Sequence, residues 1–128
     1  MYDSVQNITW LQDANYAQTS GFDSDGMMDW NAATGWAAGL VYQGYSDWRL
    51  PTTTDTGASG CDYAYSGTDC AYNVDPSTSE LAHLFFTDLG NLSAYDTAGN
   101  FRGVSSGVDW GVVNSSPFTN LQNFVYWS

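Results

Sequence analysis

Apolar residues recur at helical spacing just after Asp29. The stripe consists of Trp30, Ala33, Ala37 and Leu40, with Trp36 beside them. Intervals of three and four residues predict a helix over residues 30–40 whose stripe is buried, and Asp29 suits the N-cap position. We expect Gly44 to end this element.

A second helix has a clear start signal at Ser77. The Ser-Thr-Ser-Glu segment ending at Glu80 matches a capping box, in which the Ser77 hydroxyl accepts a bond from the N3 amide and Glu80 reaches back. The apolar stripe that follows comprises Leu81, Leu84, Phe85 and Leu89. Gly90 suits the position just beyond the helix C-terminus.

The remaining segments predict short strands and long loops. Residues 5–13 and 124–127 are typical of strands, residues 15–26 of a loop, and residues 46–51 of extended chain because Leu50 precedes a proline. Residues 52–75 show no period and predict a long loop. The order β-α-β-loop-α-loop-β predicts the α+β class, with two amphipathic helices on a small, mostly antiparallel sheet and long loops. A length of 128 residues indicates one domain.

Charge narrows the classes of partner. The chain has 14 acidic residues and two basic ones, Arg49 and Arg102, giving a formal net charge of −12. Phosphate backbones are bound by clustered Lys and Arg, so nucleic acid is excluded as a partner, and anionic membranes are disfavoured. No run is long enough to predict membrane insertion. The absence of Lys favours a secreted or cell-surface protein, whose signal peptide is not in this chain.

Cys61 and Cys70 lie in a segment rich in Gly, Ser, Thr and Tyr. With a single histidine in the chain, a Cys/His zinc site is disfavoured. A disulfide that closes a surface loop in an oxidising compartment is the favoured interpretation, with two free thiols as the alternative.

Asp23, Asp25 and Asp29 form the densest acidic cluster, around Gly26. Alternating carboxylates around a glycine turn are typical of loops that wrap Ca²⁺. The alternative is that Asp23 and Asp25 shape a turn while Asp29 caps the helix. Calcium is the only cofactor that the sequence suggests.

The 21 aromatic residues include candidates for a ligand surface. Aromatic rings stack on the C–H faces of sugars while polar neighbours bond the hydroxyls, although most rings could equally be core. The candidate ligand residues are Trp48, Arg49, Tyr63, Tyr65 and Trp110. Arg49 has a second interpretation, a bridge to a carboxylate such as Asp47 or Glu80. Neither a paired-carboxylate signal nor a nucleophile motif is present, so the sequence predicts no enzyme.

Several strings together resemble the Lcl C-terminal-domain family, a domain of unknown function with exported bacterial members of the PEP-CTERM type. They are ITWLQDANY from Ile8, the Asp23-x-Asp25-Gly26 turn, residues 30–40, GYSDWRLPT from Gly44, SELxHLF from Ser79 and VYWS from Val125. The GYSDWRLPT string and the terminal YWS are the most specific of these. The resemblance covers nearly the whole chain.

The resemblance implies a C-type-lectin-like fold and a surface module. It also implies a sulfated polysaccharide ligand. Because the chain has only two basic residues, we expect a neutral sugar or a Ca²⁺-bridged ligand instead. Members of the family continue past YWS with further strands, so we expect residues 1–128 to be one C-terminally incomplete domain. The strand from Phe124 to Trp127 would then leave a sheet edge open.

Two functions follow as expectations. The first is a non-catalytic extracellular module that binds a glycan or another surface or matrix component. The second is a structural subunit that self-associates or forms filaments through the edge from Phe124 to Trp127.

Overall fold

A computed structural model describes residues 1–57, 59–103, 109–123, 126 and 128. The chain divides into two compact units, Met1–Pro51 with Pro117–Ser128, and Thr52–Ser116. The fold is α+β, with a two-stranded antiparallel sheet and short helices. Phe124, Val125 and Trp127 lie outside the described residues, and with them the predicted strand from Phe124 to Trp127 and its open edge. Among the helices of the described chain, none has the length and apolar character needed to cross a membrane.

The first unit begins with a hairpin of β1 (Tyr2–Asp3) and β2 (Ile8–Thr9), with Tyr2 opposite Thr9. The Asp3 carboxylate closes the turn, because its Oδ1 accepts hydrogen bonds from the amides of Val5 and Gln6. The predicted strand over residues 5–13 is therefore shorter than its pattern indicates, and it pairs with a strand that the pattern missed.

Two helices follow in this unit: α1 (Tyr16–Thr19), inside the predicted loop, and α2 (Trp30–Gly39). Asp29 caps α2 as predicted, since its Oδ1 accepts a bond from the amide of Ala32. The core of the unit comprises Ala17, Ala33, Ala37 and Phe118. Trp30 is 48% exposed, so its predicted burial is wrong. It occupies the first helical position, at the end of the alanine stripe, and its indole N–H donates to the carbonyl of Ser128.

Gly44 does not end α2, which stops at Gly39. Tyr42 and Tyr45 exchange two backbone hydrogen bonds of 3.0 Å across a tight turn. The two central residues, Gln43 and Gly44, have φ values of 52° and 86°. Glycine at the second position lowers the cost of this left-handed turn.

In the second unit, the predicted helix begins at Glu80 as α3 (Glu80–Ala82) and continues as a π-helix (His83–Asp88). Its interior side chains, Ala82, Leu84 and Leu89, form the apolar core of the unit. Gly90 has a φ of 64° and lies just beyond Leu89, as predicted. The described residues of the range 52–75, all but residue 58, form no helix or strand, as expected of the predicted loop.

The predicted capping box is wrong, because Ser79 is the N-cap. Its Oγ accepts a bond from the amide of Ala82 and lies 2.9 Å from Thr53 Oγ1. The Ser77 amide and hydroxyl both donate to Asp75 instead. Glu80 does not reach back to Ser77, because its Oε2 accepts a bond from the Thr52 amide.

We predict that Ser79→Ala lowers the free energy of unfolding by about 1–2 kcal/mol, since it removes the cap and the partner of the Thr53 hydroxyl. Ser77→Ala is the matched control, because Ser77 is exposed and bonds only to Asp75 nearby. Urea unfolding monitored by circular dichroism measures both. A larger loss of unfolding free energy for Ser77→Ala than for Ser79→Ala would contradict this assignment and favour the predicted capping box.

Candidate functional site

Five aromatic rings of the second unit form a continuous series, which we call the aromatic ridge: Tyr65, Tyr72, Tyr95, Phe101 and Trp110. From Tyr65 to Tyr95, Phe101 and Trp110 the successive centroid distances are 5.5, 5.3 and 5.9 Å. Tyr72 lies 4.8 Å from Tyr95. All contacts fall in the range of favourable aromatic pairs, so the rings support one another.

The ridge is not simply the core of its unit. Tyr65 and Trp110 are each 44% exposed and Phe101 is 56% exposed, whereas Tyr72 and Tyr95 are half-buried. The tyrosine rings carry hydroxyls and the Trp110 indole carries an N–H, so the ridge also has polar groups at its ring edges. The ridge therefore offers both apolar ring faces and hydrogen-bonding groups to a ligand.

A tight hairpin turn positions the centre of the ridge. Tyr95 and Phe101 form an antiparallel bridge, so their side chains leave the same face of the hairpin. The Asp96 carboxylate accepts hydrogen bonds from the amides of Ala98 and Asn100 and from the Asn100 side chain. These bonds fix the turn between the two rings.

Tyr65 packs directly on this turn. A Cβ added to Gly99 would meet the Tyr65 ring at 2.5 Å, and Gly99 has a φ of 86°. Only glycine combines this left-handed conformation with the space that the ring occupies.

Two asparagines tie the ridge segments together. The Asn73 side chain donates to the carbonyls of both Tyr65 and Tyr95, at 2.7 and 2.9 Å. The Asn91 side chain is almost wholly buried, where it accepts from the amides of Val113 and Asn114 and donates to the Asn114 carbonyl. Asn91 thereby holds the backbone that follows Trp110.

The structure brings together two of the predicted ligand residues, Tyr65 and Trp110, in the ridge. Tyr63 is exposed but has no ring contact with a described aromatic residue. Trp48 and Arg49 belong to the first unit. There the Trp48 ring contacts Tyr42, and the Arg49 guanidinium donates to the Leu50 carbonyl at 2.9 Å.

The three aspartates of the predicted calcium site accept bonds from nearby backbone amides. Asp23 Oδ1 accepts from the amides of Asp25 and Gly26, which lower the pKa of Asp23, and Asp25 Oδ1 accepts from Met27. Asp29 caps α2. Within the described ranges, no three Asp, Glu, His or Cys side chains are grouped so that they could hold a metal ion. Calcium binding stays a prediction.

The two cysteines are free thiols that lie side by side. The Cys61 thiol donates to the Cys70 carbonyl over 2.9 Å. Burial, the neighbouring Cys61 thiol and the charges of Asp69 and Asp62 raise the pKa of Cys70 to about 11. The disulfide stays a prediction.

No protein-family model, curated protein or solved structure matches this chain. The candidate site is therefore defined by its own geometry.

Sequence reasoning missed Tyr72, Tyr95 and Phe101 as members of the site. One available signal was that Tyr95 and Phe101 flank a polar turn with glycine, the pattern of a hairpin. No comparable signal marks Tyr72, because it joins the ridge through the bond of its amide to the Ala64 carbonyl and the packing of its ring on Tyr65 and Tyr95.

We predict that Gly99→Ala displaces Tyr65 and lowers the free energy of unfolding by about 1–3 kcal/mol more than Gly67→Ala does. Gly67 is the matched control, because its φ of 83° carries the same backbone strain while its Cβ would meet nothing within 4 Å. Urea unfolding and near-UV circular dichroism of the tyrosines test this. Equal effects of the two substitutions would contradict the packing of Tyr65 on Gly99.

Acid should loosen the turn that holds the ridge. The Asn100 side chain, the amides of Asn100 and Ala98, and the charge of Arg102 lower the pKa of Asp96 below its ordinary 3.8. Ionised Asp96 therefore stabilises the fold above that value, and this contribution is lost as the pH falls through the lowered pKa. We expect the stability difference between wild type and Asp96→Asn to shrink on acidification. Urea unfolding at a series of pH values measures it, and a constant difference would contradict the assignment.

Proposed function

We propose that this protein is a non-catalytic extracellular module whose aromatic ridge binds a neutral glycan. The single observation that carries the proposal is the continuous series of five rings, three of them about half exposed. A surface that leaves adjoining aromatic faces in water is typical of a binding site rather than a core. Successive centroids along the ridge lie 5.3 to 5.9 Å apart with planes inclined by 41° to 62°, so a sugar chain would contact ring edges as well as ring faces.

Hydrogen-bonding chemistry supports a sugar over a purely apolar ligand. The tyrosine hydroxyls both donate and accept, and the Trp110 indole N–H donates. A pyranose presents hydroxyls around its rim and C–H groups on its faces, so it can use both kinds of contact. An apolar ligand would leave these polar groups without partners and would lose affinity.

Charge favours a neutral glycan over a sulfated one. The chain carries a net charge of −12, and the second unit contains Arg102 as its one basic residue. A polysulfate needs several clustered cations, which this unit does not supply. Binding to a neutral glycan should consequently depend little on salt.

We further propose membership of the Lcl C-terminal-domain family, with its C-type-lectin-like fold, on the strings given above. A secreted or cell-surface location follows from that proposal and from the absence of Lys. Exposed aromatic rings are compatible with binding polysaccharide in a surface matrix, which is the setting in which such a module would act.

We predict that Tyr65→Ala and Trp110→Ala each weaken polysaccharide binding about tenfold or more, because each removes an exposed ring from the ridge. Affinity electrophoresis through gels containing hydroxyethyl cellulose, xylan, galactomannan or dextran measures the loss. Dextran sulfate gels serve as the anionic comparison, in which retardation should be weak and should disappear with salt.

Tyr45→Ala is the matched control, because Tyr45 is 64% exposed and lies in the first unit. It should bind like the wild type. Migration of the wild type unaffected by every neutral polysaccharide would overturn the proposal, as would equal losses for Tyr45→Ala and the two ridge variants.

A further inference from the structure

Cys61 and Cys70 bracket the segment that carries Tyr65. The ends of this segment are already close, because the Cys61 thiol donates to the Cys70 carbonyl at 2.9 Å and the nearby Tyr72 amide donates to the Ala64 carbonyl at 3.0 Å. Within it, the Thr68 hydroxyl and the Ala64 amide both donate to the Asp62 carboxylate. The two bonds to Asp62 are exposed and none of these contacts is covalent, so the loop that carries Tyr65 can open.

The two thiols differ in access. Cys61 is exposed, whereas Cys70 is half-buried and its pKa is raised to about 11 by burial, by Cys61 and by Asp69 and Asp62. A small oxidant therefore meets Cys61 first, and Cys70 remains a thiol until its neighbour has reacted. This is the arrangement of an attacking and a resolving cysteine.

We propose that Cys61 and Cys70 form a thiol–disulfide exchange site whose oxidation by a low-molecular-weight disulfide fixes Tyr65 in the aromatic ridge and strengthens glycan binding. The inference rests on the proposed glycan-binding function. It assigns to the cysteine pair a reversible control of that site, beyond the static closure of a loop.

The exchange takes place in two balanced steps. The Cys61 thiolate attacks one sulfur of the small disulfide RSSR, which breaks its S–S bond, forms a Cys61–S–S–R mixed disulfide and releases one RSH after proton uptake. The Cys70 thiol then loses its proton to solvent and attacks Cys61 Sγ, which breaks the S–S bond of the mixed disulfide and expels RS⁻; this thiolate takes up a proton to give the second RSH. The two protein thiols are oxidised to a disulfide while RSSR is reduced to two RSH.

Oxidation restricts the conformations that the Tyr65 loop can adopt, while the aromatic rings of the ridge stay the same. A bond between residues 61 and 70 replaces the Cys61 thiol contact with the Cys70 carbonyl and closes the loop covalently. Tyr65 then loses less freedom when a ligand binds, because part of its ordering is already complete. The expected gain is an affinity about three- to tenfold higher in the oxidised state, from the ordering cost of one or two side chains.

The experiment equilibrates the whole protein with reduced and oxidised glutathione in varied ratio. Thiol titration and peptide mass spectrometry quantify the Cys61–Cys70 disulfide. Hydrogen exchange of residues 62–73 and affinity electrophoresis in xylan and hydroxyethyl cellulose gels are measured in both states. We expect slower exchange of this segment and stronger retardation after oxidation, both reversed by dithiothreitol.

Cys61→Ser/Cys70→Ser is the control, and its exchange and retardation should not respond to glutathione. Formation of mixed disulfides or intermolecular dimers alone would overturn the proposal. So would complete formation of the intramolecular disulfide with no change in exchange and retardation. Slower hydrogen exchange after oxidation, with no gel retardation in either redox state, would support the effect on the loop and overturn the glycan-binding function. Failure of the redox proposal and failure of the glycan-binding proposal are therefore distinguishable.

Discussion

Hydrogen bonds from backbone amides to Asp and Asn side chains hold much of this structure together. Among the described residues, four of the seven buried apolar side chains are alanines, and such small side chains bury little area. Asp3 closes the first hairpin, Asp96 fixes the turn of the ridge, and Asn91 holds the segment beyond Trp110. The acidic composition thus has a structural use, because a carboxylate that accepts amide hydrogens needs no lysine to pair with.

The aromatic ridge depends on this polar scaffold. Its rings contact one another, but their backbones are fixed by Asn73, by the Asp96 turn and by the close approach of Tyr65 to Gly99. Because buried apolar contacts do not have to position them, the rings can remain exposed. A protein with a large apolar core would draw the same rings inward, and the surface that we propose as a glycan site would be lost.

Features that depend on neighbouring residues could be predicted from the sequence. Asp29 caps α2 and Gly90 follows the π-helix because both roles are decided within a turn of chain. Ser79 displaces Ser77 as the N-cap because of Thr53, which lies 26 residues away in sequence, and no local pattern contains that contact. The π-helix could not be predicted from the spacing of apolar residues either. Its backbone bonds span five residues, as from the Leu89 amide to the Leu84 carbonyl, but the apolar spacing stays nearly that of an α-helix.

In the candidate site, too, some features follow from the sequence and others only from the fold. The sequence singled out Tyr65 and Trp110 by residue type, but the partners that connect them, Tyr95 and Phe101, are recognised only once the hairpin is formed. Trp48 and Arg49 share the residue types of a ligand surface and yet belong to the other unit. Residue type indicates what chemistry is available, whereas the topology decides which residues share a surface.

The burial of Asn91 has a consequence for producing the protein. Asn91-Leu92-Ser93 is an acceptor sequence for N-linked glycosylation. A sugar attached to the Asn91 side-chain nitrogen would compete with its bond to the Asn114 carbonyl and would have to occupy space that the folded chain fills. Secretion through a eukaryotic host that modifies this asparagine before folding is complete would therefore trap the segment after Trp110 outside its native position. Bacterial expression, or replacement of Ser93 by alanine, avoids that outcome.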